Sequence, residues 1–144
     1  MRVLLAGGGT GGHIYPAVTI GRALKEKGAE LLFIGTERGL EREIVPREGF
    51  PIEFIPVESF PRRPSWRMVR ALFVAAAGLR AAGAVVRRFR PDVCVGTGGY
   101  VAGPAVLAAQ LRGVPTLIQE QNAHPGVTNR ILARFADTVA LGYE

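Results

Sequence analysis

The chain has 144 residues, 48% of them apolar and 21% charged, which suits one domain with its own core and excludes a disordered chain. One cysteine, Cys94, excludes an internal disulfide, and no Cys/His cluster has metal-ligand spacing. The net charge of +6 points to an anionic partner. The first residues carry neither an h-region nor a cleavage site, so no secretory leader is expected. No apolar run is read as long enough to span a bilayer.

Arg2 to Ala6 reads as a first strand, followed by Gly7-Gly8-Gly9-Thr10-Gly11-Gly12-His13. Tyr15-Pro16-Ala17-Val18 then opens a helix expected over Pro16 to Lys27, with the proline in its first turn and Gly28 as its stop. Leu31 to Ile34 predicts a second strand, Leu40 to Val45 a short helix closed by Pro46, and Ile52 to Ile55 a third strand. A loop with Pro61 and Pro64 leads to Ser65, an expected N-cap, and to a long helix from Trp66 to Phe89 closed by Pro91. Then come a strand over Val93 to Val95, the loop Gly96-Thr97-Gly98-Gly99-Tyr100, and a helix over Val101 to Leu111 that stops at Gly113. A strand over Thr116 to Ile118, the polar loop Gln119 to Asn122, a helix over Val127 to Phe135 and a strand over Thr138 to Leu141 complete the chain. Cys94 sits in a buried-strand pattern and reads as core. Apolar strands alternating with helices predict an α/β domain over residues 1–144, a Rossmann-like, doubly wound parallel sheet covered on both faces. Ligands of such sheets bind at the carboxyl ends of the strands. The loops after the first, fourth and fifth strands are therefore expected to converge on one cleft.

Five of the six positions from Gly7 to Gly12 are glycine, more than a tight turn needs. They let the backbone approach a ligand, and the free N–H groups of the following helix favour a phosphate. Gly7, Gly9 and Gly12 satisfy G-x-G-x-x-G, but the second strand ends in Gly35-Thr36 and Glu37 follows too late to hold a ribose, which disfavours NAD. No Gly-Lys-Ser/Thr is present, so this is not a P-loop. Gly96 to Gly99 repeat the first loop in miniature. Either the two loops cradle two phosphates of one diphosphate, with the Thr10 and Thr97 hydroxyls on the same oxygens, or the second only permits close packing of strand on helix. Asn122 and Asn129 are the only asparagines, and Gln119, Glu120 and Gln121 stand beside Asn122. Such a set suits a neutral polyol or a peptide. His13 can serve as a general base, as a phosphate or acceptor contact, or as a helix cap. His124, before Pro125, reads as incidental.

Between Glu58 and Asp92 there is no acidic residue, while Arg62, Arg63, Arg67, Arg70, Arg80, Arg87, Arg88 and Arg90 all fall there. Such a block suits nucleic acid or anionic lipid. Val69, Leu72, Phe73, Ala76 and Leu79 recur at helical spacing, with Trp66 and Met68 at the start. One stripe must face the sheet. A second, formed by Arg67, Val69, Arg70, Phe73, Leu79 and Arg80, would be an apolar patch ringed by arginine, the pattern of a peripheral membrane protein. Ordinary core packing with a solvated basic edge fits the same spacing. No aromatic platform interleaves the arginines, so nucleic acid is not expected as a partner.

The loops Gly7 to His13, Gly96 to Tyr100 and Glu120-Gln121-Asn122, in this order and spacing, resemble the MurG family of peptidoglycan glycosyltransferases. Those enzymes transfer N-acetylglucosamine from UDP-GlcNAc to lipid I, undecaprenyl-diphospho-N-acetylmuramoyl-pentapeptide, and make lipid II. The resemblance covers the whole chain and implies the N-terminal, acceptor-binding half of a two-domain, inverting GT-B enzyme. It implies that Gly9, Thr10, Gly11, Gly12, Thr97, Gly98 and Gly99 hold the acceptor diphosphate and that His13 is the candidate base for the C4 hydroxyl. Tyr100, Glu120, Asn122 and Asn129 would line the acceptor side, and the basic apolar patch would dock on the cytoplasmic face of the inner membrane. The C-terminal half, expected as further chain or as a partner, would bind most of the UDP-GlcNAc, so these 144 residues alone are expected to transfer sugar poorly. No metal and no cofactor is implied. The family commonly has histidine before Glu-Gln-Asn; Gln119 stands there and is neither cation nor base, so proton transfer is not expected at that position. Two other readings remain open at this stage: a non-catalytic membrane-anchoring or nucleotide-binding module, and a GT-B transferase with another lipid-linked acceptor.

Overall fold

Val3 and Leu5 point to one side of a strand and Leu4 and Ala6 to the other, and all four are fully buried. Such a strand needs a cover on both faces. The computed structural model, which describes residues 1–58 and 66–142, supplies it. The elements in chain order are β1 (Arg2–Gly7), α1 (Gly11–Glu26), β2 (Glu30–Gly35), α2 (Glu41–Arg47), β3 (Ile52–Phe54), α3 (Trp66–Phe89), β4 (Val93–Gly98), α4 (Ala102–Gln110), β5 (Thr116–Glu120), α5 (Val127–Leu132) and β6 (Thr138–Leu141). The strands form one parallel sheet in the order β3-β2-β1-β4-β5-β6, as a doubly wound Rossmann-like fold requires.

Each face has its own core. Val3, Leu5, Phe33 and Val95 pack with Ile14, Ala17 and Val18 of α1 and with Val45 and Phe50. Leu4, Ala6, Ile34, Cys94 and Ile118 pack with Ala82, Val85 and Val86 of α3 and with Ala102, Ala105 and Val106 of α4. Cys94 is a core residue as expected, and burial pushes its thiol up to about 12.

Several boundaries differ from the sequence expectation. Helix α1 starts at Gly11, five residues before Pro16, with Thr10 as its extended N-cap, so Pro16 lies inside the helix. Helix α2 likewise runs past Pro46 to Arg47, because a proline near a helix end removes one bond without closing the last turn. Strand β4 continues through Gly96 and Thr97 to Gly98, pairing Ala6 with Gly96 and Gly7 with Gly98 across a register shift. Strand β5 continues to Glu120, opposite Leu141. The ladder thus takes in residues whose types suggest loops. Strand β3 ends at Phe54 and α5 at Leu132. Pro61, Arg62, Arg63, Pro64 and the expected cap Ser65 lie outside the described residues.

Helix α3 corrects the reading that no apolar run reaches spanning length. Its 24 residues have a mean hydropathy of 1.7 over the most apolar stretch, enough by length and composition to cross a bilayer. Here it is a layer of the domain instead. It lies along α4 and buries Ala71, Gly78, Ala82, Gly83, Val85 and Val86, small and β-branched residues that allow close approach.

Candidate functional site

β1 and β4 are neighbours in the sheet, but α1 packs on one face and α4 on the other. The chain therefore leaves their carboxyl ends in opposite directions and opens a crevice between them. The two glycine loops meet at its floor. A Cβ on Gly99 would fall 2.1 Å from the Gly8 carbonyl oxygen, and one on Gly98 would fall 2.6 Å from His13 Nδ1. Both glycines have left-handed φ, 106° at Gly98 and 78° at Gly99, so no other residue fits them without strain. The Tyr100 ring lies against Gly9, where a Cβ would meet it at 2.7 Å.

The first turn of α1 is open to an anion. The His13 and Ile14 N–H groups both bond to the Thr10 carbonyl, at 3.1 and 3.2 Å, whereas Gly11 and Gly12 open the helix with no carbonyl a turn behind them. No acidic residue stands in that turn, and Thr10 is exposed with no capping bond from its hydroxyl. Two residues expected here behave differently. The Gly9 N–H donates to the Glu41 carboxylate at 3.0 Å, so it is not a free phosphate donor. Thr97 is fully buried and its hydroxyl donates to the His13 carbonyl at 2.7 Å. The expected contact of that hydroxyl with a ligand is thereby corrected: Thr97 ties β4 to α1.

Glu41 was not among the residues expected in the site. It is fully buried, and besides the Gly9 N–H it accepts from the Thr36 N–H and hydroxyl, both at 2.9 Å. One carboxylate thus joins the end of β2 to the first glycine loop. The available signal was an acidic residue in the first turn of a short helix, five residues after Thr36 at the end of the second strand.

The third segment, after β5, divides into two roles. Glu120 and Asn129 are buried. Glu120 accepts from the Asn122 N–H and Nδ2, the Gly126 N–H and Asn129 Nδ2, at 2.9 to 3.2 Å. Burial alone would raise the Glu120 pKa, but these four bonds outweigh it and hold the carboxyl below its ordinary value. Glu120 and Asn129 therefore shape the loop from inside instead of lining the cleft as expected, while Asn122 stays exposed beside them.

Gln121, expected within the polar loop but given no role of its own there, faces the cleft. Its Nε2 donates to the Gly12 carbonyl at 2.7 Å and lies 3.1 Å from His13 Nδ1. Pro16 explains the first bond: it has no N–H to give Gly12, the residue four before it, so that carbonyl is left for Gln121. His13 Nδ1 is also 3.1 Å from the Thr97 carbonyl. With its hydrogen on Nδ1, His13 donates to Thr97 and its Nε2 keeps the lone pair of a base; with the hydrogen on Nε2, Nδ1 accepts from Gln121. The three loops expected to converge do so on this one imidazole. His124 is exposed and apart from these contacts.

On α3 the outward face is split. Trp66, Val69, Leu72 and Phe73 are 73, 57, 57 and 74% exposed, and Arg67, Arg70 and Arg80 are exposed among and beyond them. Leu79 departs from the expected patch: it is half-buried, packs on the core and turns towards α4. Leu72, two helical turns earlier, is the exposed leucine of this face. Arg70 is not a wholly free charge either, since it lies 3.5 Å from Glu58.

The family model for the glycosyltransferase family 28 N-terminal domain matches residues 3–141. UDP-N-acetylglucosamine--N-acetylmuramyl-(pentapeptide) pyrophosphoryl-undecaprenol N-acetylglucosamine transferases are similar over the whole chain. The protein from Moorella thermoacetica is 57% identical across 99% of this chain and 39% of its own. That from Thermoanaerobacter sp. (strain X514) is 51% identical across 100% and 40%. The chain thus spans about 40% of the length of the curated relatives it matches. The crystal structure of Acinetobacter baumannii MurG superposes with a TM-score of 0.89 at 34% identity, over 99% of this chain and 42% of that one. The Streptomyces glycosyltransferase SsfS6, 18% identical with a TM-score of 0.67 over 91% of this chain and 42% of its own, shares the fold.

Proposed function

Since this chain belongs to glycosyltransferase family 28 and has the fold of a GT-B N-terminal domain, we propose that it is the acceptor-binding and membrane-docking half of a lipid II-forming transferase. The donor is UDP-GlcNAc, held mainly by a C-terminal domain as in the longer relatives, and the acceptor is lipid I. Gly11, Gly12 and Thr10 meet the acceptor diphosphate from the α1 side, and Gly98, Gly99 and Tyr100 meet it from the β4 side. His13 takes the proton of the C4 hydroxyl as that oxygen attacks the anomeric carbon and UDP leaves, with inversion. Thr97 and Gln121 hold the imidazole. The observation that carries this reading is the meeting of three distant segments on His13, through Thr97, Gly98 and Gln121. A bare turn has no use for that convergence, and the names of the relatives supply the substrates.

The test is sugar transfer from UDP-GlcNAc to a soluble lipid I analogue, by this chain alone and with a relative's C-terminal domain added. Transfer only on addition is the expected result. Binding of the analogue without transfer in either case would leave an acceptor domain whose reaction is not this one.

The exposed apolar end of α3 with its arginines supports peripheral docking on an anionic membrane face. The chain is expected to sediment with anionic vesicles at low salt and much less with zwitterionic ones. Phe73→Asp should weaken that binding about 10-fold or more, since burying one such ring contributes about 1.5–3 kcal/mol. Equal sedimentation with both vesicle types would remove the docking role.

A further inference from the structure

Between α3 and α4 runs a groove of about 330 Å³ whose walls are largely apolar, a volume within the range of small-molecule sites. Ala76 and Leu79 form one wall, and Pro104 and Leu107 the other. Its surroundings give it meaning. Tyr100, just before α4, is part of its lining, and the Tyr100 ring lies against Gly9 of the first glycine loop. On α3 the wall continues to Leu72, one turn before Ala76 on the same helix face and 57% exposed. An apolar path thus joins the anion-accepting loops to the exposed apolar end of α3. Glu58 on the rim is paired with Arg70, so the groove presents no isolated charge to an apolar occupant.

We propose that this groove takes the first isoprene units of a polyprenyl diphosphate, leading the chain from the diphosphate at the glycine loops, past Tyr100, towards the membrane. The proposal rests on the reading of the loops as a lipid-diphosphate site. The occupant follows from the two ends of the path: a ligand that is anionic at one end and purely hydrocarbon beyond matches both, and the relatives are named for a pyrophosphoryl-undecaprenol substrate. A soluble sugar nucleotide has no hydrocarbon to cover the α3 and α4 walls.

Titration calorimetry on this chain compares inorganic diphosphate with farnesyl diphosphate below its micelle concentration, and with farnesol. Farnesyl diphosphate should bind about tenfold tighter than diphosphate or better, the least that burying a few methylene equivalents gives. Two variants fill the groove independently. A Cβ on Gly103 meets only Thr128 Cγ2, at 3.8 Å, so Gly103→Leu projects a side chain into the space without moving backbone, and Ala76→Phe does so from the exposed side of the opposite wall. Both should keep the diphosphate affinity and lose the gain from the tail. Equal affinity for the two ligands overturns the groove and leaves the diphosphate site standing. A gain that survives both variants overturns it too, and puts the tail on the open face of α3. If neither ligand binds, the diphosphate reading of the loops fails, and this inference with it.

Discussion

In a protein that carries both halves of the enzyme, His13→Ala lowers kcat for transfer to a lipid I analogue about 10²–10⁴-fold, the range spanned by loss of a general base. KM for the acceptor changes little, because the diphosphate contacts assigned to Gly11, Gly12, Gly98 and Gly99 are backbone contacts. His13→Gln separates chemistry from packing. Its amide can still donate to the Thr97 carbonyl, 3.1 Å from Nδ1 in the parent, but it cannot accept a proton at neutral pH. The same loss is therefore expected. Normal turnover in either variant would end the base role and leave His13 as a link between α1 and β4.

The second large effect is on stability. Glu41→Ala should lower the unfolding free energy by about 3 kcal/mol or more, because the buried Thr36 N–H and hydroxyl and the Gly9 N–H lose their shared acceptor and each orphaned donor costs about 1–3 kcal/mol. For a domain of this size that is a fall in Tm of about 10 °C. Glu41→Gln should fall between parent and alanine, since its one amide oxygen keeps the Thr36 bonds while its NH2 faces the Gly9 N–H. Calorimetric scans of the three proteins check the order. An unchanged Tm in the alanine variant would mean that water satisfies these donors and that Glu41 does not hold the loop.

The sheet, its two-sided burial and the cleft-forming loops were legible because each has a local signal: continuous apolar strands, glycine runs and an amide cluster. What the sequence concealed depends on pairs far apart in the chain. Glu41 looks like the first turn of a short helix until the fold brings it to Gly9, 32 residues earlier. Thr97 and Glu120 look like ligand-facing polar residues, yet both are buried because β4 and β5 extend further than their residue types suggest. Periodicity on α3 marked apolar positions all round the helix. The better guide to its buried face was residue size, since Ala71, Gly78, Ala82 and Gly83 lie against the domain while Trp66 and Phe73 do not.

Pro16 contradicts its helix: it denies the Gly12 carbonyl its N–H, and a sequence tuned only for local consistency would avoid it. The mismatch is relieved by Gln121, 109 positions beyond Gly12 along the chain. A helix with no such flaw would keep the Gly12 oxygen to itself and give the fifth strand nothing to hold at this point. Local frustration in the first helix is in this way the means by which the far half of the domain is registered against the imidazole, and it sits at the candidate site, the kind of place where natural sequences tend to depart from local rules.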